Sequence, residues 1–363
     1  MSGGVDSSVA ACLLQEQGYE VCGATLHLYD NADAGIRSRT CCSLKDVEDA
    51  RAVAYRLGIE HYVFNFGPEF RRDVMERFAR GYACGETPNP CIDCNRFIKF
   101  GKMLERAKLL GMDCIATGHY ARVEYDRSRG RYLLKKAKDV SKDQTYVLYS
   151  LTQDGLAHTL FPLGSLLKSE VRRIAEEHGF VNAKKPDSED ICFVPDGNYA
   201  GFLEHKMGLS SEPGNFVDCA GNVIGRHRGL LHYTVGQRKG LGSFGEPKYV
   251  VRKDAVANTV VLGGNSDLAC SSFTVGEVNW ISVACLPGPA EADVKVRYSQ
   301  KAFPAEVIPL PDGRAEVRFQ EPQRAVAPGQ AAVFYQGDEV LGGGTILPMP
   351  GGKDKAGRKN DLC

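Results

Sequence analysis

Two periods of apolar residues organise the first half of the chain. Apolar groups recur at helical spacing in 8–18 (SVAACLLQEQG), 46–58 (DVEDARAVAYRLG), 70–82 (FRRDVMERFARGY), 96–111 (RFIKFGKMLERAKLLG) and 166–179 (LLKSEVRRIAEEHG), several of them ending at glycine. Between them lie short runs read as buried strands: YEVCGATLHLY (19–29), HYVFNF (61–66) and DCIATG (113–118). Strands alternating with helices of this length predict an α/β domain over residues 1–200, a parallel sheet covered on both faces. From about residue 205 glycine and proline become frequent and the helical period disappears. The runs KYVVRKDAVANTVVLG, ADVKVRY, AEVRFQ and QAAVFYQGDEVLGGGTI predict a small central domain (201–268) and a C-terminal antiparallel β-barrel or sandwich (269–349). The tail, 350–363, reads as disordered.

Composition narrows the function. Lysine plus arginine balance aspartate plus glutamate at 45 each in 363 residues, so a polyanion would have to be met by a local basic patch. No apolar run reaches the roughly 18–20 residues that span a bilayer, and the amino end is not a secretory signal. Thirteen cysteines, an odd number spread along a long chain, do not form a disulfide scaffold. Reduced thiols and a cytoplasmic location follow as expectations.

The chain opens on SGGVDSS. Glycines here let backbone N–H groups crowd around an anion, and the following helix aims its positive end at the same place. Ser2, Ser7 and Ser8 add hydroxyls, Gly3, Gly4 and Val5 supply backbone donors, and Asp6 could orient the loop or a magnesium ion. No GxxxxGK[ST] occurs, so the lysine of a Walker loop is missing and γ-phosphoryl transfer is not the obvious chemistry. SGGxDS resembles the PP-loop of ATP pyrophosphatases, in which AMP is transferred and pyrophosphate leaves. Such a loop follows the first strand of its sheet, whereas this sequence starts inside the motif; a preceding strand is expected. GLGSFG (240–245) fits GxGxxG but is followed by Pro247 and an extended run, so it is discounted as a dinucleotide site.

Cys91 and Cys94 lie in TPNPCIDCNRFIKF, a proline-rich loop entering a helix, where thiolate is favoured; Cys192 lies downstream in SEDICFVPDG. A single CxxC supports a redox pair, half a zinc site or part of an iron–sulfur site. Cys12, Cys22 and Cys114 sit in apolar contexts and read as core residues, and Cys41–Cys42 receive no role.

The loop SGGVDSS, the block TPNPCxxCNxxIKF, IATGHY, KDQTYVLY, SEDICF, HYTVGQRKGLG and APGQAAVFY occur in this order along essentially the whole chain. That series resembles the tRNA-specific 2-thiouridylases, PP-loop enzymes that thiolate the wobble uridine of tRNA. The resemblance implies ATP and Mg²⁺ as cofactors, and as partners the tRNA anticodon stem-loop and a sulfur-donor protein or sulfide, with neither membrane nor DNA involved. It implies adenylation of the uracil C2 oxygen, then attack by sulfur and departure of AMP. Cys94 matches the nucleophile and Cys192 the persulfide-bearing residue. Where many relatives carry aspartate (NPDxxCN), this chain has Cys91, so Cys91, Cys94 and Cys192 could instead hold a four-iron four-sulfur cluster. Both sulfur routes stay open.

The same resemblance sets Leu26 and Gly118 beside Ser2, Gly3, Gly4, Val5, Asp6, Ser7 and Ser8 at ATP. It sets Asn89, Pro90, Cys91, His119, Lys142, Asp143, Gln144, Arg297, Tyr298 and Gln330 at tRNA. The basic run 127–144 then suits phosphate neutralisation rather than a merely solvated face. Two other classes compete: a PP-loop ligase or amidotransferase that admits nitrogen, and a non-catalytic iron–sulfur RNA-binding protein. The first would not need Cys94 or Cys192; the second would release no AMP.

Overall fold

The computed structural model describes residues 1–29, 44–187 and 191–349. Helix Val5–Glu16 starts directly at the glycine pair, with Gly4 as its N-cap and no side chain capping it, so its first N–H groups stay available. Its buried face, Val5, Val9 and Cys12, packs with Val53 of helix Leu44–Leu57 and with Val171 and Ala175 of helix Lys168–Glu177.

The parallel strands of the α/β domain form two ladders. β1 (Gly23–His27) pairs with β2 (His61–Asn65), Gly23 opposite His61. β3, shortened to Ile115–Ala116, belongs to the second ladder. A hairpin follows, β4 (Arg122–Asp126) and β5 (Arg131–Lys135); its turn and second strand lie inside the run read as a basic face, where the basic residues had masked the alternation. β6 (Thr159–Leu160) completes the second parallel ladder with β3.

In the middle of the chain, β7 (Gly214–Val217), β8 (Val223–His227), β9 (Tyr249–Asp254) and β10 (Thr259–Gly263) form a sheet in the order β8-β7-β10-β9, over a core of Phe216, Tyr233, Val250, Val260 and Leu262. The run 240–245 is a glycine turn before β9, with Gly240 and Gly242 at positive φ and no helix after it. The last six strands are β11 (Ala269–Trp280), β12 (Ala290–Lys295), β13 (Phe303–Pro309), β14 (Ala315–Arg324), β15 (Ala331–Gln336) and β16 (Glu339–Ile346). Pairing of β11 with β16 closes them into an antiparallel barrel, which settles barrel against sandwich.

The basic hairpin is a docking device as much as a surface. Arg131 donates to the carbonyls of Ile281 (2.9 Å) and Trp280 (3.3 Å), Arg129 pairs with Glu339 at 2.7 Å, and Glu339 lies opposite Lys135 in a bridge between β5 and β16. Among the described residues no helix is long and apolar enough to cross a membrane. Cys12 is buried as expected, but Cys22 is half-buried and Cys114 exposed, because β3 begins only at Ile115. Cys41, Cys42 and the 350–363 tail lie outside the described residues.

Candidate active site

One cleft of about 1960 Å³ gathers the glycine loop, β1, the cysteine helix and Tyr298 of the barrel domain. Tyr19–Cys22, which lead into β1, and Leu110–Cys114, which lead into β3, also line it. A small-molecule pocket holds roughly 300–1,000 Å³; the larger volume here takes in the gap lined by Tyr19–Cys22 and Leu110–Cys114 as well as the glycine loop.

The loop geometry depends on glycine. Gly3 has φ +71°, and a Cβ there would lie 2.4 Å from the Asp46 carbonyl oxygen. A Cβ on Gly118 would lie 2.7 Å from the Asp6 backbone and 2.8 Å from Ser7 N, so Gly118 abuts the start of the helix. The hydroxyls of Ser7 and Ser8 both donate to Gly4 O at 3.1 Å, and Ser2 N donates to Ser7 Oγ at 3.1 Å. Asn182 holds the loop from below, donating to Gly3 O (3.0 Å) and Ser8 Oγ (2.9 Å). Lys185 donates to Gly3 O at 3.0 Å and pairs with Asp46 and Asp49.

Sequence reasoning passed over the strongest charge in the cleft. Lys168, buried at 9% exposure, donates to both Asp6 carboxylate oxygens at 2.7 and 2.8 Å and to Asp187 at 2.8 Å. Asp187 also holds Lys142 (2.8 Å) and Arg172 (2.9 Å), and Tyr120 donates to Asp6 at 2.9 Å. Asp6 thus orients the loop through protein partners. The available signal was the first turn of an obvious helix, LLKSEV, facing a loop that lacks a lysine of its own.

Asn89 caps the cysteine helix, its Oδ1 accepting from Cys91 N at 3.1 Å, with Pro90 at the first helical position. The chain continues through a π-helical stretch, Cys94–Lys102, in which the buried Asn95 donates to Val147 O at 3.0 Å. Cys91 is exposed, Cys94 buried and Cys192 half-buried, and all three line the cleft with Pro90, Leu26 and Tyr298. Cys192 is fixed by its neighbours: Tyr29 donates to its carbonyl at 2.5 Å, and Phe193 packs edge-on against Phe70 and Phe78 at 5.7 and 5.6 Å.

The remaining expected RNA residues divide. His119 lines the cleft between Phe100 and Phe161, its Nδ1 2.7 Å from Thr117 Oγ1. Burial, and after it the charge of Lys99, drive its pKa well below the ordinary value, so it is a neutral imidazole. Gln144 lines the cleft while accepting from Tyr120 N at 2.9 Å. Asp143 is turned to its own chain, accepting from Ala137 N (3.0 Å) and Thr145 Oγ1 (2.6 Å). Arg297 donates to Val235 O (3.0 Å) and Ala325 O (2.8 Å), joining the central domain to the barrel, and Gln330 donates to Thr87 O. Tyr298 alone of these three barrel residues reaches the cleft, with Lys295 5.4 Å from its ring.

Fold and site together define an α/β protein with a glycine loop at the start of a helix, its cleft reached by Tyr298 of the C-terminal barrel; two β-domains follow in the chain. Family models match along the chain: the tRNA methyl transferase HUP domain at residues 1–196, the PRC-barrel domain of that family at 200–264 and the aminomethyltransferase β-barrel domain at 270–346. The tRNA-specific 2-thiouridylase MnmA of Acetivibrio thermocellus is 52% identical over 349 residues, 95% of this chain and 97% of that protein. The same-named proteins of Heliobacterium modesticaldum and Moorella thermoacetica are each 51% identical, covering 96% and 95% of this chain and 91% and 98% of theirs. The chain belongs to the tRNA-specific 2-thiouridylase family.

Proposed function

We propose that this protein replaces the C2 oxygen of the wobble uridine of tRNA with sulfur, using ATP–Mg²⁺ as co-substrate. The observation that carries the reading is the meeting of an anion-binding glycine loop and two reactive-type thiols, Cys94 and Cys192, in one cleft.

The loop N–H groups at the start of Val5–Glu16 receive the phosphates. Lys168 and Lys142 stand beside them and supply the charge that a Walker lysine would give; phosphate oxygens can replace a carboxylate partner of each. The uracil O2 attacks the α-phosphorus, the bond to the β-phosphate oxygen breaks, and pyrophosphate departs. The adenylated oxygen is now a good leaving group. In the persulfide route the terminal sulfur on Cys192 attacks C2 and AMP leaves. Cys94 thiolate then attacks Cys192 Sγ, releasing the 2-thiouridine and leaving a Cys94–Cys192 disulfide. A thiol reductant and a persulfide donor restore the start.

Cys91 adds a third thiol to the cleft. Among the described residues, the only three ligand atoms lying within 4.8 Å of one another are those of Cys12, Glu16 and His178, so Cys91, Cys94 and Cys192 as placed do not close on a single ion. The second sulfur route uses a four-iron four-sulfur cluster. Such a cluster would be held by these three thiols and would supply an iron able to carry sulfide.

Protein, ATP–Mg²⁺ and unmodified tRNA are incubated with a persulfide donor and a thiol reductant, and in a parallel reaction with sulfide for the cluster route, and AMP and nucleosides are quantified by mass spectrometry. The expected products are AMP and 2-thiouridine in equal amounts. A methylated nucleoside, an amidated product or ATP-independent RNA binding alone would reject the proposal. Anaerobic iron and acid-labile sulfide analysis separates the two sulfur routes.

A further inference from the structure

The backbone entering the cysteine helix is held from outside its own domain. Thr87 N donates to Pro328 O at 2.8 Å, and Thr87 O accepts from the side-chain amide of Gln330, so both polar groups of that peptide are answered by the barrel. Next to it, Glu86 O accepts from Lys253 Nζ of β9 at 3.1 Å. Gly329, at φ +83°, lets the barrel turn close in: a Cβ there would lie 2.8 Å from Glu86 Cβ and 3.0 Å from Thr87 N. Two residues on, Asn89 caps the helix that carries Cys91 and Cys94. The cap has only Pro88 between it and the clamped peptide.

We infer that the barrel turn 328–330 sets the position of the cysteine helix, and that Gln330 and Gly329 are positioning residues for the reacting thiols. The sequence had suggested Gln330 as an RNA contact; its amide donates instead to the loop that delivers Cys91 and Cys94. The barrel is then a structural part of the active site as well as an RNA-facing surface. Reacting groups need placement within about 0.5 Å, and a shift of about 1 Å can lower a rate by about 10²-fold, so a loosened clamp reads out in turnover before it reads out in binding.

The catalytic half of this inference rests on the thiolation reading, so the deciding measurement avoids tRNA and ATP. Backbone hydrogen exchange of the peptide spanning 84–95, and the alkylation rate of the buried Cys94, are followed in the free protein for wild type, Gln330→Ala and Gly329→Ala. Losing one hydrogen bond of about 0.5–1.5 kcal/mol should speed exchange at Thr87 by about two- to tenfold. Cys94 alkylation should rise with it. In turnover, Gln330→Ala should lower kcat by about ten- to a hundredfold, with tRNA affinity and the KM for ATP unchanged. Unaltered exchange and alkylation in Gln330→Ala, with weaker and less salt-sensitive tRNA binding, would overturn the inference and return Gln330 to the RNA. Gln330→Ala keeps the test decisive if Gly329→Ala fails to fold. Absence of thiolation in wild type would count against the proposed function and leave the exchange result standing.

Discussion

The ammonium of Lys168 lies 2.7 Å from Asp6 Oδ1, joining the helix at 168–177 to the glycine loop at the other end of the α/β domain's chain. Asp187 takes the same ammonium at 2.8 Å, so a nearly buried cation is neutralised from two sides. This arrangement places beside the loop a lysine that its own sequence lacks. Replacing Lys168 with methionine should lower ATP-dependent AMP formation by about 10²-fold, the usual effect of removing one preorganised donor. Binding of tRNA should be unaffected, as measured by filter retention without nucleotide. Normal AMP formation by this variant would remove Lys168 from the phosphate site.

Gly3→Ala tests the loop itself. Left-handed backbone at this residue and the 2.4 Å approach to Asp46 O leave no room for a methyl group. A loss of about 1–3 kcal/mol is expected from strain of this kind. Urea midpoints report the stability change, and equilibrium binding of ATP reports the loop. Both should fall; an unchanged midpoint would show that the Asp46 backbone gives way at little cost.

Burial raises the Asp93 carboxyl to about 6, against the opposing charge of Arg77 at 3.4 Å. The folded protein therefore holds this proton more tightly than the unfolded chain, where the carboxyl titrates near about 3.9. The resulting stability is fully present below about pH 4 and is lost as pH rises through about 6. Asp93→Asn should remove that slope. Between about pH 4 and 7 the variant should gain up to about 3 kcal/mol on wild type, read from urea unfolding at both values. Parallel profiles for the two proteins would contradict the assignment.

Cys192 depends on an aromatic anchor. Phe193 is 1% exposed and meets Phe70 and Phe78 edge-on. Phe193→Ala should destabilise the protein by about 3–5 kcal/mol, as expected for a buried aromatic. The milder Tyr29→Phe removes the donor to Cys192 O, costing about 1 kcal/mol. Its signature should be slower persulfide loading of Cys192 in a sulfur-transfer assay, with ATP affinity preserved. Equal loading rates would mean that Tyr29 serves packing alone.

Helices and most strands were legible because a buried face imposes its period on the residues that fill it. Val5–Glu16 with Gly4 as cap, and the hairpin of β9 and β10, follow from patterning and turn residues. The hairpin of β4 and β5 was hidden because its arginines and lysines look like a solvated run, and their partners Glu339 and the carbonyls of Trp280 and Ile281 lie some 150 to 210 positions away. Cys114 was misplaced for a local reason: only two residues of its run are strand, and it precedes them.

The order of residues alone determined the glycine loop and placed the three cysteines in their segments, since the backbone conformation of a tight loop is a property of a short stretch of chain. The partners of those groups were decided by folding. Lys168 against Asp6, Gln330 against Thr87 and Phe193 against Phe70 are separated by 162, 243 and 123 positions. Charge pairing and close packing act over a few ångströms of space, and no local pattern in the chain states which distant residues will share them.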